Sequence, residues 1–172
     1  ADEKSLIKRV NSVFKKTVVV LNIGSIIDMS WEKELLKNDS AILIPWQGGM
    51  ESGNALADVL SGKQEPSGKL TDTIAKDYFD YPCANSFGEK EYNNYTEDIF
   101  VGYRYFETFA KDKVLYPFGF GLGYSTYKRE FISGEVKDNS VFLKASTENT
   151  ADYCGKDILQ IYAEAPQGTL GK

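Results

Sequence analysis

The sequence predicts an α/β fold, a partial doubly wound parallel-sheet sandwich, followed by an incomplete antiparallel β-sandwich. Two apolar runs, Thr17-Val18-Val19-Val20-Leu21-Asn22 and Ala41-Ile42-Leu43-Ile44-Pro45, alternate with stretches of helical periodicity, the order that right-handed parallel crossovers require. From Tyr127 onward the apolar period falls to two, in Val141-Phe142-Leu143-Lys144-Ala145 and Ile158-Leu159-Gln160-Ile161-Tyr162. Turn residues Asn149, Asp152 and Gly155 separate these short antiparallel strands. A sandwich takes roughly seven strands and only about three fit before Lys172, so the second layer is expected to be truncated.

Each element has a local reason. From Ser5 to Lys16, Leu6, Ile7, Val10, Val13 and Phe14 recur at helical spacing, with Lys4, Lys8, Arg9, Lys15 and Lys16 left for water. The β-branched run after it has the composition of a strand buried on both faces, and Gly24-Ser25 turns the chain. Ser30 is expected to cap a short helix through Trp31, Leu35 and Leu36. The second strand ends in Trp46-Gln47-Gly48-Gly49, followed by a helix from about Met50 to Leu60 that Gly62 terminates. Between Asp77 and Gly123 the chain becomes rich in Tyr, Phe, Gly, Asn and Pro, and reads as a long ordered excursion packed by aromatics, with Pro117-Phe118-Gly119-Phe120-Gly121 turning at a glycine.

Composition narrows the function. Of 172 residues 42% are hydrophobic and 26% charged, with a formal charge of −5, and no basic face follows a phosphate backbone, so nucleic acid is not an expected partner. No run approaches the roughly 20 apolar residues of a membrane span. The start at Ala1-Asp2-Glu3-Lys4 has no apolar leader, which leaves the compartment open with a cytoplasmic setting as the default. The chain contains no histidine, which removes Ser-His-Asp and Cys-His catalysis and histidine-ligated zinc together. Cys83 and Cys154 lie far apart and read as ordinary buried or half-buried thiols. Neither cofactor nor metal is expected.

Two segments carry candidate chemistry. Gly48-Gly49-Met50-Glu51-Ser52-Gly53 joins strand to helix; it reads either as a tight turn with Glu51 near the positive helix end or as a loop whose amides receive an anion or a sugar hydroxyl. It lacks the phosphate-loop and dinucleotide spacings, which argues against a flavodoxin-like nucleotide binder. Glu89, Glu91, Glu97 and Asp98 cluster beside Tyr92, Tyr95 and Tyr103. They read either as solvated acids over packed tyrosines or as part of a sugar site, which needs paired carboxyl groups and aromatic platforms. Arg104 reads as an ion-pair or stacking residue, or as a substrate clamp. Asn38-Asp39-Ser40 and Asn94-Tyr95-Thr96 match the glycosylation sequon, a match frequent by chance.

Several segments together resemble glycoside hydrolase family 3, which includes β-glucosidases and β-xylosidases. Val18 to Gly24 looks like a strand of that family's α/β sandwich domain. Ala41-Ile42-Leu43-Ile44-Pro45-Trp46-Gln47-Gly48-Gly49-Met50-Glu51-Ser52-Gly53 resembles its strand and glycine loop, and Pro66-Ser67-Gly68-Lys69-Leu70-Thr71 its proline-serine-glycine turn. Tyr95-Thr96-Glu97-Asp98-Ile99-Phe100-Val101-Gly102-Tyr103-Arg104-Tyr105-Phe106 and Tyr116-Pro117-Phe118-Gly119-Phe120-Gly121-Leu122-Gly123-Tyr124-Ser125 resemble its two most specific signatures, with Gly123 where the family usually has serine. Thr147 to Pro166 looks like the opening of the fibronectin type III-like module that follows. On this resemblance residues 1–125 are the α/β sandwich domain, incomplete at its N-terminus, and residues 126–172 begin the fibronectin type III-like sandwich.

The resemblance implies retaining hydrolysis of terminal non-reducing β-linked sugars by double displacement, with an aspartate nucleophile and a glutamate acid/base. No residue of this chain aligns with either, so none is assigned as catalytic. The chain is then one wall of the active site, inactive alone, with Trp46, Glu51, Glu97 and Arg104 as candidate substrate-binding residues. Its implied partners are a β-linked oligosaccharide or glycoside substrate and a barrel domain of the same parent chain. Leu70-Thr71-Asp72-Thr73 and the Trp46–Gly53 loop are similar to members whose barrel follows these domains. Unpaired strand edges make a homodimer the expected self-association. The rival from another class is a non-catalytic carbohydrate-binding or interaction module that uses the tyrosine-rich excursion as a stacking surface.

Overall fold

A computed structural model of the chain describes residues 2–37 and 39–164. Asn38 of the first sequon and residues 165–172, the end of the expected sandwich, lie outside the described residues. Two compact units result: one holds the described residues up to Gly53, those from Leu70 to Phe120, and Ala163 and Glu164, the other holds Asn54–Lys69 and Gly121–Tyr162.

In the first unit, helix α1 (Asp2–Val13) precedes strand β1 (Thr17–Val20), a one-turn helix α2 (Glu32–Leu35) and strand β2 (Ser40–Leu43). β1 and β2 pair in parallel with Thr17 opposite Ser40 and Val20 opposite Leu43. The pair continues one bond further, from the Leu21 amide to the Leu43 carbonyl at 2.9 Å. Burial is one-sided: Thr17 is buried and Val19 half-buried, but Val18 is 50% exposed, so β1 is not covered on both faces among the described residues. The inner face of α1 is likewise narrower than its apolar spacing suggests. Ile7, Val10 and Asn11 turn inward, whereas Leu6, Val13 and Phe14 are exposed.

The core of this unit is Met29, Trp31, Leu35 and Ile74, flanked by Ile7, Val19, Leu21, Ile42, Ile44 and Leu115. Asn11 is the polar member, 4% exposed; its Nδ2 donates to the Leu35 carbonyl at 2.7 Å and its Oδ1 accepts from Ser40 Oγ at 3.0 Å. One side chain therefore ties α1 to α2 and to β2. Ser30 does not cap α2: the residue at the cap is Trp31, without a side-chain bond. The Ser30 amide instead donates to Asp28 Oδ1 at 2.9 Å, and Trp31 Nε1 to the Asp28 carbonyl at 2.9 Å. Ser30 lies one residue before the cap position, and its amide is taken up by the Asp28 carboxylate in an Asx turn that organises the approach to α2.

The aromatic excursion folds around elements its weak periodicity concealed. Strands β3 (Ile74–Ala75) and β4 (Val114–Tyr116) pair antiparallel, and helix α4 (Tyr103–Phe109) crosses between them in sequence. Phe106 on α4 is 1% exposed and packs with Ala75, Ala110, Tyr81 and Tyr105. Tyr81 meets Phe106 edge-on at 5.5 Å; its hydroxyl accepts from the Ala75 amide at 2.9 Å and donates to the Thr73 carbonyl at 3.1 Å. Gly119 has φ 80°, and Phe120 N bonds the Pro117 carbonyl at 3.1 Å, the glycine-dependent turn that the Pro-Phe-Gly-Phe order demands.

The second unit contains most of helix α3 (Ser52–Leu60) and a hairpin of β5 (Tyr127–Lys137) and β6 (Ser140–Asn149). Asp138 and Asn139 at the hairpin tip both take positive φ, 50° and 62°, as a two-residue mirror-image turn requires. Gly62 at φ 78° closes α3, its amide bonding the Val59 carbonyl at 3.0 Å. Ile158–Tyr162 departs from expectation: it is irregular and joins no ladder among the described residues. Alternation alone cannot make a strand, because its amides and carbonyls need a neighbouring strand to bond.

Replacing Asn11 by Ala is expected to cost about 1–3 kcal/mol, since the buried Leu35 carbonyl and the half-buried Ser40 hydroxyl would lose their partner. For a chain of this size that is a fall in Tm of about 2–4 °C per kcal/mol. Thermal unfolding followed by circular dichroism checks it, and a Tm unchanged from the wild type would show that the three elements do not depend on this amide.

Candidate functional site

In the first unit both parallel strands point their carboxyl ends toward irregular segments, 21–31 after β1 and 44–51 after β2. Loops at that end of a parallel sheet are where α/β proteins bind ligands. The two are packed tightly: a Cβ on Gly24 would lie 2.9 Å from Gln47 Nε2. Within the second loop Gly49 has φ 70° and a Cβ on Gly48 would lie 2.6 Å from the Ser52 Cβ. Both glycines are therefore demanded by the turn into α3.

Trp46 is half-buried with φ 53°. That conformation costs about 1–3 kcal/mol in a residue with a Cβ, so the surrounding packing must impose it. Glu51 is exposed and immediately precedes the first turn of α3. The other two candidates lie on the excursion. Glu97 is half-buried and Arg104 exposed on α4, and Arg104 makes no ion pair among the described residues. Asp98, next to Glu97, is a second left-handed residue with φ 50°, in a turn closed by the Phe100 amide on the Glu97 carbonyl at 2.8 Å. The four candidates thus fall on two segments, each containing one strained non-glycine position.

The structure adds a neighbour the sequence did not indicate. The Cys83 thiol lies against the Glu97 carboxylate, and burial, then that charge and its hydrogen bond, push the thiol above its ordinary value. Cys83 is half-buried as expected, but Cys154 is exposed, because it sits in the irregular segment after β6 and not in an apolar layer. Two tyrosines are also held un-ionised: burial and the Glu32 carboxylate raise Tyr116, whose hydroxyl donates to Glu32, and burial raises Tyr81 despite its bond from Ala75. Around the acid-rich stretch Phe87, Tyr92 and Tyr95 are 76%, 66% and 90% exposed, while Tyr103 packs at 5.0 Å on Phe118. Among the described residues no group of three or more His, Cys, Asp or Glu is arranged to hold a metal, and no helix is long and apolar enough to cross a membrane.

A parallel strand pair with a glycine turn at its carboxyl end, followed by an aromatic excursion, defines a small mixed helix-and-strand domain. A family model described as the glycosyl hydrolase family 3 C-terminal domain matches residues 1–124. The chain belongs to that family. It is 45% identical over 170 residues to a β-glucosidase of Ruminococcus albus, covering 99% of this chain and 18% of the relative. It is 43% identical to β-glucosidase A of Butyrivibrio fibrisolvens, covering 99% of this chain and 22% of the relative. The crystal structure of a β-glucosidase from Paenibacillus barengoltzii superposes with a TM-score of 0.91 at 42% identity, over 99% of this chain and 19% of that one. The chain therefore spans about a fifth of the length of the relatives it matches.

Glu97→Gln is expected to speed alkylation of Cys83 and move its pH profile to lower pH. Removing the negative neighbour lowers the thiol pKa, so more thiolate exists at a given pH. Mass-resolved iodoacetamide labelling, with Cys154 as the internal reference, reads the change; an unmoved profile would place Glu97 away from the thiol.

Proposed function

We propose that the chain is part of a retaining β-glycosidase of β-glucosidase type, hydrolysing terminal non-reducing β-linked sugars, and that it forms one wall of the active site without supplying the catalytic carboxylates. The observation that carries this reading is the 45% identity to a β-glucosidase over 99% of the chain, with the glycine loop at the carboxyl end of a parallel strand supporting the wall. In this reading the chain comprises an α/β sandwich domain to residue 125 and the opening of a fibronectin type III-like sandwich from residue 126, and a barrel domain of the same parent supplies the nucleophile.

Within that wall, the side chains proposed to meet the sugar are Trp46 and Glu51 from the glycine loop and Glu97 and Arg104 from the excursion. An indole offers a flat face for a sugar ring, and carboxylates and a guanidinium bond its hydroxyls. Strain at Trp46 and beside Glu97 supports the choice, since non-glycine residues in the left-handed region cluster at ligand-binding positions. Exposed apolar residues on the hairpin, Phe131, Val136 and Val141 among them, support self-association or cover by further strands of the parent.

Hydrolysis of an aryl β-glucoside tests the reading: none by the 172-residue chain alone, turnover by the longer parent protein, and a fall of roughly tenfold or more in kcat/KM for the parent's Trp46→Ala variant. Activity in the isolated chain would put the catalytic pair inside it, with Glu51 and Glu97 the first to mutate.

A second reading has its own observation. The exposure of Tyr92 at 66% and Tyr95 at 90% suits a carbohydrate-stacking surface of a binding module. That reading expects the chain by itself to be retarded in affinity electrophoresis through a soluble β-glucan, and a Tyr92→Ala, Tyr95→Ala double variant to run free. Equal migration of both proteins with and without glucan would dismiss it.

A further inference from the structure

Within the second unit, the loop that follows α3 carries Glu65, whose carboxylate faces donors from two segments distant in sequence. The Ser125 amide donates to Oε1 at 2.7 Å; the Tyr127 hydroxyl and the Lys156 amide donate to Oε2 at 3.2 Å and 3.0 Å. No lysine or arginine pairs with this carboxylate among the described residues. Its charge is met by two backbone N–H groups and a phenol gathered from two segments, and not by a cation.

Two glycines leave the space. A Cβ on Gly123 would stand 2.6 Å from Glu65 Oε1, and one on Gly155 would overlap the carboxylate itself. This gives a physical reason for glycine at position 123, where the resemblance leads one to expect serine. A side chain there would displace the carboxylate. Three further bonds join the same segments: Tyr124 donates to the Val59 carbonyl of α3 at 2.7 Å, Tyr153 to the Gly62 carbonyl, and the loop's own Lys69 to the Gly121 carbonyl at 2.5 Å. The two tyrosine rings meet edge-on at 5.6 Å, and Ser125 Oγ closes the ring of contacts on the Tyr153 carbonyl at 2.8 Å.

We propose that Ser125, Tyr127 and Lys156 form a carboxylate-binding nest, cut to size by Gly123 and Gly155, and that Glu65 is its resident ligand, latching the loop 61–69 to the chain entering β5 and to the chain that follows β6 at the open end of the hairpin. Desolvation opposes the charged form, yet the bonds from Ser125, Tyr127 and Lys156 outweigh it and hold the carboxyl below its ordinary value, as a nest of donors does. The site is specific for a carboxylate because two oxygens are served from two directions, which a single-atom anion cannot satisfy.

Amide hydrogen exchange of the 172-residue chain tests this, comparing peptides that contain Ser125 and Lys156 with peptides from 17–43. In Glu65→Ala the first set is expected to exchange roughly tenfold or more faster while the second is unchanged. Sodium formate, but not sodium chloride at equal ionic strength, is expected to restore protection by refilling the nest. Unchanged exchange in the variant, or acceleration that formate does not reverse, overturns the proposal. If Glu65→Ala also deprotects 17–43, Glu65→Gln replaces it: its single acceptor oxygen must free the Ser125 or the Lys156 amide, and protection of both at wild-type levels overturns the proposal equally.

Discussion

The parallel register of β1 and β2 is the constraint on which the first unit depends. Parallel neighbours cannot be joined by a tight turn, so residues 21–39 must leave one end of the pair, cross it and return. The apolar content of that crossover, Met29, Trp31 and Leu35, is what the pair packs against. Asn11 holds the crossover in place by bonding Leu35 and Ser40 together. A buried amide is a demanding choice for this position, because it is favourable only when donor and acceptor are both satisfied. It fixes which face of α1 turns inward, and this explains why Leu6 and Val13 remain exposed although their spacing is helical.

From this register follows the position of the glycine loop. Both strands deliver their carboxyl ends to the same side, where Gly24 lies close to the Gln47 side chain. The excursion solves a different problem: with few long elements, it buries Phe106 by surrounding it with Tyr81, Tyr105 and two short strands. Full burial of one such ring is worth about 1.5–3 kcal/mol, and the Tyr81 hydroxyl adds two backbone bonds that anchor β3.

The second unit is held by polar contacts. β5 and β6 are exposed along nearly their whole length, so apolar burial contributes little there. Two carboxylates compensate. Asp157, with its side chain 6% exposed, receives Arg129 through two nitrogens at 2.7 and 2.5 Å and Thr147 at 2.9 Å, and the arginine holds it well below the usual carboxylate range. Glu65 does the same work with backbone donors. Each lowered carboxyl stabilises the folded unit above its unfolded-state pKa, and the contribution is lost only as pH falls through the lower folded value.

Much of this was legible beforehand, and for local reasons. The β-branched runs at 17–22 and 41–45, the helix ended by Gly62, the glycine turn at Pro117–Gly121 and the family resemblance all depend on near neighbours or on contiguous motifs. The pairing of β3 with β4, the inward turn of Asn11, the contact of Glu97 with Cys83 and the reception of Glu65 by Ser125 and Lys156 were not legible. Each joins residues between 14 and 91 positions apart in the chain, and nothing in the intervening sequence signals the meeting. Periodicity records which side of an element avoids water, so the sequence alone determined α1, α3, the two apolar runs and the family, but not α4, whose aromatic stretch carries little period. Only the tertiary structure decided which polar groups meet, because a hydrogen bond depends on distance and direction between segments that sequence spacing does not encode.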